Sequence, residues 1–302
     1  MTSLFAWLVP WEPSPTVVIC IAAAACLYAR GCRTRRVSGW RRFSFWLGLA
    51  LLYIALQTRL DYYAEHEFFM HRIQHVILHH LGPFLVVISY PGTTLYAGVP
   101  LAWRRDWLRP LLNSTPVRVT TNILMYPPIA AILFVGLIYF WLIPSVHFDA
   151  MLDVRLYRLM NWGMAVDGLL FWWLVLDHRP APPAHLSPGM RIFLPIAVMP
   201  PQIVLGAILG LSSRDFYTVY SICGRAFADL NPVTDQNLGG LILWIPGSMM
   251  SVAAVLVAMR HWTRLDGRRP KARDAAAADR PVATGHLPEA TVVRNVSDPG
   301  RI

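Results

Sequence analysis

Between residues 14 and 260 the chain repeatedly turns apolar for about twenty residues at a time, and each such run is long enough to cross a bilayer as a helix. Inside a bilayer no water satisfies the backbone, so runs of this kind must be helices packed together. Seven are counted, at 14–30, 43–60, 68–90, 118–143, 157–176, 191–211 and 238–260. The expected fold is all-α, a polytopic membrane helix bundle with about seven transmembrane helices over residues 1–264. Composition agrees: 55% of the 302 residues are hydrophobic and 15% charged, where a soluble domain carries about 25% charged residues. The first 29 residues hold neither Lys nor Arg, so no cleavable signal peptide is expected and the first run is read as a retained span.

The formal charge of +10 does not point to nucleic acid, because the basic residues sit in short runs between apolar segments. Arg30, Arg33, Arg35, Arg36, Arg41 and Arg42 follow the first run, Arg104, Arg105 and Arg109 the third, and Arg260, Arg264, Arg268, Arg269, Lys271 and Arg273 the seventh. Basic loops stay in the cytoplasm. The N-terminus is therefore expected outside and the C-terminus inside, with membrane lipid as the surrounding medium. Residues 265–302, rich in Ala, Arg, Asp and Pro without apolar period, are expected to be a disordered cytoplasmic tail. Cys20, Cys26, Cys32 and Cys223 lack any CxxC spacing, which argues against a disulfide framework or a thiolate metal site.

Residues 61–83 hold five of the ten histidines, His66, His71, His75, His79 and His80. Helical residues four apart stack above one another, so His71, His75 and His79 are expected to form one ladder, with Gln74 beside it and Glu67 one turn above. His66 and His80 point off that face, and His66 could pair with Glu65 or Glu67. Ionisable groups in an apolar span are costly and point to function. Three readings stay open: a metal or haem site, a proton or hydrogen-bond relay, and a structural polar network.

Other candidates accompany the ladder. Met160, Met164 and Asp167 fall on one face of the fifth run, where a carboxylate must be protonated or paired. Asp235, followed by Gln236, sits where it could cap the seventh helix, in which Met249 and Met250 offer thioether sulfur. Imidazole suits copper, zinc and iron, whereas thioether favours copper(I). His71, His75 and His79 are thus candidate metal ligands, with His66, Glu67, Met164, Asp167, Met249 and Met250 as accessories. Haem fits less well, since two-histidine ligation needs imidazoles from different helices and His147 is the only outward-side histidine expected beyond the third span. Paired prolines at Pro127-Pro128 and Pro200-Pro201 either bend their helices or open a site between them.

The run Phe68-Phe-Met-His71-Arg-Ile-Gln-His75-Val-Ile-Leu-His-His-Leu-Gly-Pro83, followed by Gly168-Leu-Leu-Phe-Trp-Trp173 and by Asp235-Gln236 with Gly239-Gly240-Leu-Ile-Leu-Trp244, resembles the multi-span cytochrome c oxidase assembly factor CtaG family over residues 40–260. The resemblance implies a seven-helix protein of the bacterial inner membrane, not an enzyme, that handles copper on the periplasmic side while a haem-copper oxidase matures. Oxidase subunits and a periplasmic copper donor would be its partners. His71 and His75 match the family's His-x3-His pair, and Asp235 with Gln236 its second polar motif, which implies Asp235 as a further candidate metal ligand and Gln236 as a further accessory. A transporter or proton-coupled carrier using Asp167 and the ladder, and a haem-binding redox protein, are the rival functions.

Overall fold

The computed structural model describes residues 13–266. Those residues form helices and connecting turns, with no strand among them. In chain order they are α1 (Pro15–Thr34), α2 (Gly39–Gln57), α3 (Arg59–His66), α4 (Phe68–His75), a π-helical segment (Val76–Leu81), α5 (Gly82–Ile88) and α6 (Gly92–Gly98). A short helical stretch over 101–113 leads to α7 (Thr115–Leu124), α8 (Pro127–Trp141), α9 (Pro144–Leu152), α10 (Val154–Val175), α11 (Pro188–Gly210), α12 (Val219–Cys223) and α13 (Pro232–Asp266). One compact unit runs to Trp262. Apart from residues 265 and 266, which continue α13, the expected tail lies outside the described residues.

Three helices, α1, α11 and α13, are long and apolar enough to cross a membrane, or six spans if each bent pair counts once. Those pairs are α2 with α3, bent by 53°, the Phe68–Ile88 helix with α6, bent by 74°, and α7 with α8, bent by 70°. The expected span at 157–176 corresponds to α10, 22 residues long but carrying Arg155, Arg158 and Asp167. It holds more buried residues than any other described helix, eleven, and Phe171 and Trp172 pack with Phe84, Phe134, Leu194 and Val198 in the largest apolar cluster. The two double prolines behave differently. Pro127-Pro128 ends one helix and opens another at N1, whereas Pro200-Pro201 stays inside the continuous α11, where the Pro201 carbonyl accepts from the Tyr139 hydroxyl at 2.7 Å.

Both π-helical segments end immediately before an X-Pro pair. The Gly82 N–H reaches back to the Ile77 carbonyl and the Arg109 N–H to the Arg104 carbonyl, and Pro83 and Pro110 follow with no N–H to give. Pro83 thereby deprives the His79 carbonyl of its helical donor. The Trp172 indole supplies one instead, at 3.1 Å. Gly168 makes this approach possible, since a Cβ there would collide with the same carbonyl. Gly168→Ala is therefore expected to destabilise the protein by about 1–3 kcal/mol, the usual cost of overpacking. A thermal unfolding midpoint in detergent equal to wild type would refute this contact.

A candidate histidine and arginine centre

The helix that carries the histidines begins at Phe68, and its first donors are satisfied from the far end of the chain. Asp235, fully buried in the first turn of α13, accepts the Phe68 N–H at 3.0 Å and the Phe69 N–H at 2.7 Å. Expected to cap its own helix, it caps α4 instead. The Arg225 guanidinium binds the same carboxylate at 2.8 Å and Glu67 at 3.0 Å, and Glu67 also accepts the Phe227 N–H. Gln236 turns the other way, accepting from the Phe216 N–H and donating to the Arg214 carbonyl. Gly239, one turn beyond Asp235, leaves room for the Phe68 ring that a Cβ would strike. Further along α4, Gln74 donates to Asp61 at 2.6 Å, and Asp61 also accepts from the Tyr157 hydroxyl of α10 at 2.8 Å.

With α4 held at both points, His71 and His75 face inward, fully or almost fully buried, their rings 4.4 Å apart and tilted by 30°. None of their four ring nitrogens makes a hydrogen bond, although the Asn161 amide approaches His75 and the Ala64 carbonyl approaches His71. His147, from α9, lies 5.0 Å from His71, but its own nitrogens engage the Trp141 carbonyl and the Tyr220 hydroxyl.

The expected three-rung ladder breaks after His75. The wider π turn rotates His79 to Asp167, at 2.9 Å, and brings His80 inward to Gln202, at 3.0 Å. His80, expected off the face, is thus 2% exposed. Asp167 is paired, one of the two states open to a carboxylate in an apolar helix. Met164 lines a cavity of about 10 Å³ with Arg72, His75, His79 and His80, room for one water at most. Met249 faces outward, 66% exposed, and Met250 packs against the large apolar cluster. His66 lies with Nδ1 2.7 Å from the Tyr62 carbonyl, while Glu67, offered as its partner, is taken by Arg225. Among the described residues no group of three or more His, Cys, Asp or Glu side chains converges closely enough to hold a metal ion.

Sequence reasoning passed over Arg72. The residue is 2% exposed, and its guanidinium lies over the Phe68 ring at 5.3 Å with Nε and Nη2 unpartnered beside the histidines. An arginine within the apolar run 68–90 was the available signal. Arg225, Tyr157 and Gln202 lie on other segments, and no local pattern links them to the histidines.

These features define a class, a helical integral membrane protein with a buried histidine and arginine centre. The chain belongs to the cytochrome c oxidase caa3 assembly factor family (Caa3_CtaG), whose family model matches residues 21–265. It is also similar to the uncharacterized protein Mb0105 of Mycobacterium bovis and the uncharacterized protein MT0111 of Mycobacterium tuberculosis, each 31% identical over 270 residues, covering 84% of this chain. The chain spans only 39% of the length of each. No solved structure matches.

Proposed function

We propose that the chain is a non-enzymatic assembly factor that holds or passes copper at the periplasmic side of a bacterial inner membrane while a cytochrome c oxidase matures. The observation that carries this reading is the His71–His75 stack, with four buried ring nitrogens unpartnered. Leaving one buried polar group unsatisfied costs about 1–3 kcal/mol, which a ligand that takes up imidazole nitrogen would recover. Imidazole is a good copper donor. A pair short of a full ligand shell suits cargo in transit, the remaining donors coming from an oxidase subunit or a periplasmic copper donor. Arg72 opposes a cation there, so the imidazoles would have to hold the metal against that charge. For topology, the arginine distribution supports seven spans with α10 as the fifth, the N-terminus outside and the C-terminus cytoplasmic. The test is elemental analysis and an absorption spectrum of the detergent-purified protein. Copper near one per chain, absent from the His71→Ala/His75→Ala double variant, is expected; a wild type that stays free of copper after loading overturns the reading.

The buried His79–Asp167 pair favours a second reading, a proton-coupled carrier. That reading expects Asp167→Asn to abolish uptake into proteoliposomes with copper content unchanged. The copper reading expects no uptake by wild type to begin with.

A further inference from the structure

A second site lies at the other end of the α5–α10 pair. One cavity, of about 320 Å³, is walled by Arg41, Val87, Tyr90, Trp173, His178 and Arg179. A second, of about 440 Å³, runs between α1, α2, α5 and α10 and is lined almost wholly by apolar side chains, among them Ala24, Phe45, Leu49, Leu95, Met125 and Leu170. The two share Val87 and Trp173 as common walls. Each falls within the size range of small-ligand sites. The break before Pro127 leaves Met125 at the end of α7, where it lines the apolar cavity.

The charge at the first cavity is positive. Asp177 is held below the usual carboxylate range: burial pushes it up, but hydrogen bonds from Arg179 outweigh that, so one guanidinium is neutralised. His178 is pushed below the ordinary imidazole range by burial first and by Arg41 and Arg179 after it, against Asp177, so it adds no charge at pH 7. Arg41 remains. Its guanidinium stands over the Tyr90 ring at 4.8 Å and makes no ion pair among the described residues. Tyr90 itself holds a positive φ of 52°, unusual for a bulky residue and the kind of conformation that collects at ligand sites.

A cationic pocket joined to an apolar cleft matches an amphiphile with an anionic head. We infer that this crevice binds one anionic phospholipid, its phosphate against Arg41 and one acyl chain in the cleft beside Ala24 and Leu170. General attraction of basic residues to anionic lipid would act at every arginine-rich loop. A built site differs in being saturable at one molecule and in needing the cleft as well as the charge.

The experiment is native mass spectrometry of the detergent-purified full chain with phosphatidylglycerol and phosphatidylcholine in competition. Wild type is expected to retain one phosphatidylglycerol in preference to phosphatidylcholine. Arg41→Gln should lower that preference about fivefold, the effect of one arginine near a charged headgroup. Ala24→Trp, which fills the cleft, should abolish retention of both lipids. Unchanged thermal midpoints without lipid show that the variants fold, and the wild-type competition stands alone if either does not. Equal retention of the two lipids, several anionic lipids bound without saturation, or displacement by millimolar inorganic phosphate overturns the inference; the last would make the pocket a free-phosphate site.

Discussion

Asp235→Ala is expected to destabilise the protein by about 3–5 kcal/mol, the range for breaking a buried ion pair from one side. Its carboxylate is fully buried and carries three contacts at once: two backbone donors at the start of α4 and the Arg225 guanidinium, itself only 12% exposed. Losing an N-cap alone costs about 0.5–2 kcal/mol; the rest comes from Arg225, which keeps Glu67 at 3.0 Å but loses the closer of its two buried carboxylates. Asp235→Asn should fall between the two proteins, because its amide oxygen still accepts one backbone N–H but leaves Glu67 as the remaining counter-charge of Arg225. Chemical unfolding in detergent measures both. An Asp235→Ala protein as stable as wild type would show that α13 does not hold α4 in place.

In cells kept short of copper, the His71→Ala/His75→Ala variant is expected to cut the copper content and activity of the oxidase by at least about tenfold, since the proposed transfer needs both imidazoles. Surplus copper should restore activity in part, by routes that bypass the protein. The variant itself should stay folded. Truncation removes four unpartnered buried nitrogens along with two rings, so the loss of packing is offset by relief of desolvation. A normal oxidase in the variant strain under copper shortage would end the copper proposal and leave the histidines as packing or as part of a proton path.

Much of the helical layout was legible because apolar run length dictates it, as α1, α11 and α13 show. The His71–His75 pair was legible as well, because four-residue spacing in an α-helix leaves no other arrangement. His79 was misplaced since the spacing argument assumes regular helix, and the departure is set by Pro83 acting on a carbonyl four residues earlier. Asp235 carried a correct hint of capping with the wrong helix attached, because a cap is read locally while this one spans 167 residues. Arg72 sat between two histidines in plain view and was passed over in favour of them. The Arg225 and Gln202 contacts depend on how the loop after α11 and the proline-bearing α11 itself come back to the centre, which no window of sequence encodes.

Pro83, Gly168 and Trp172 meet at a single oxygen atom, the His79 carbonyl. None of the three makes sense by itself: the proline creates an unmet acceptor, the glycine clears the way, and the indole answers it. Such a trio acts as one unit. Exchanging the proline for a residue with an N–H would place a second donor beside the indole at the same carbonyl, whereas losing the indole alone would bury an unmet acceptor. Changes at these three positions are therefore expected to couple in their effect on stability, so that the turn beneath the histidines behaves as one part of the fold although it is drawn from two helices.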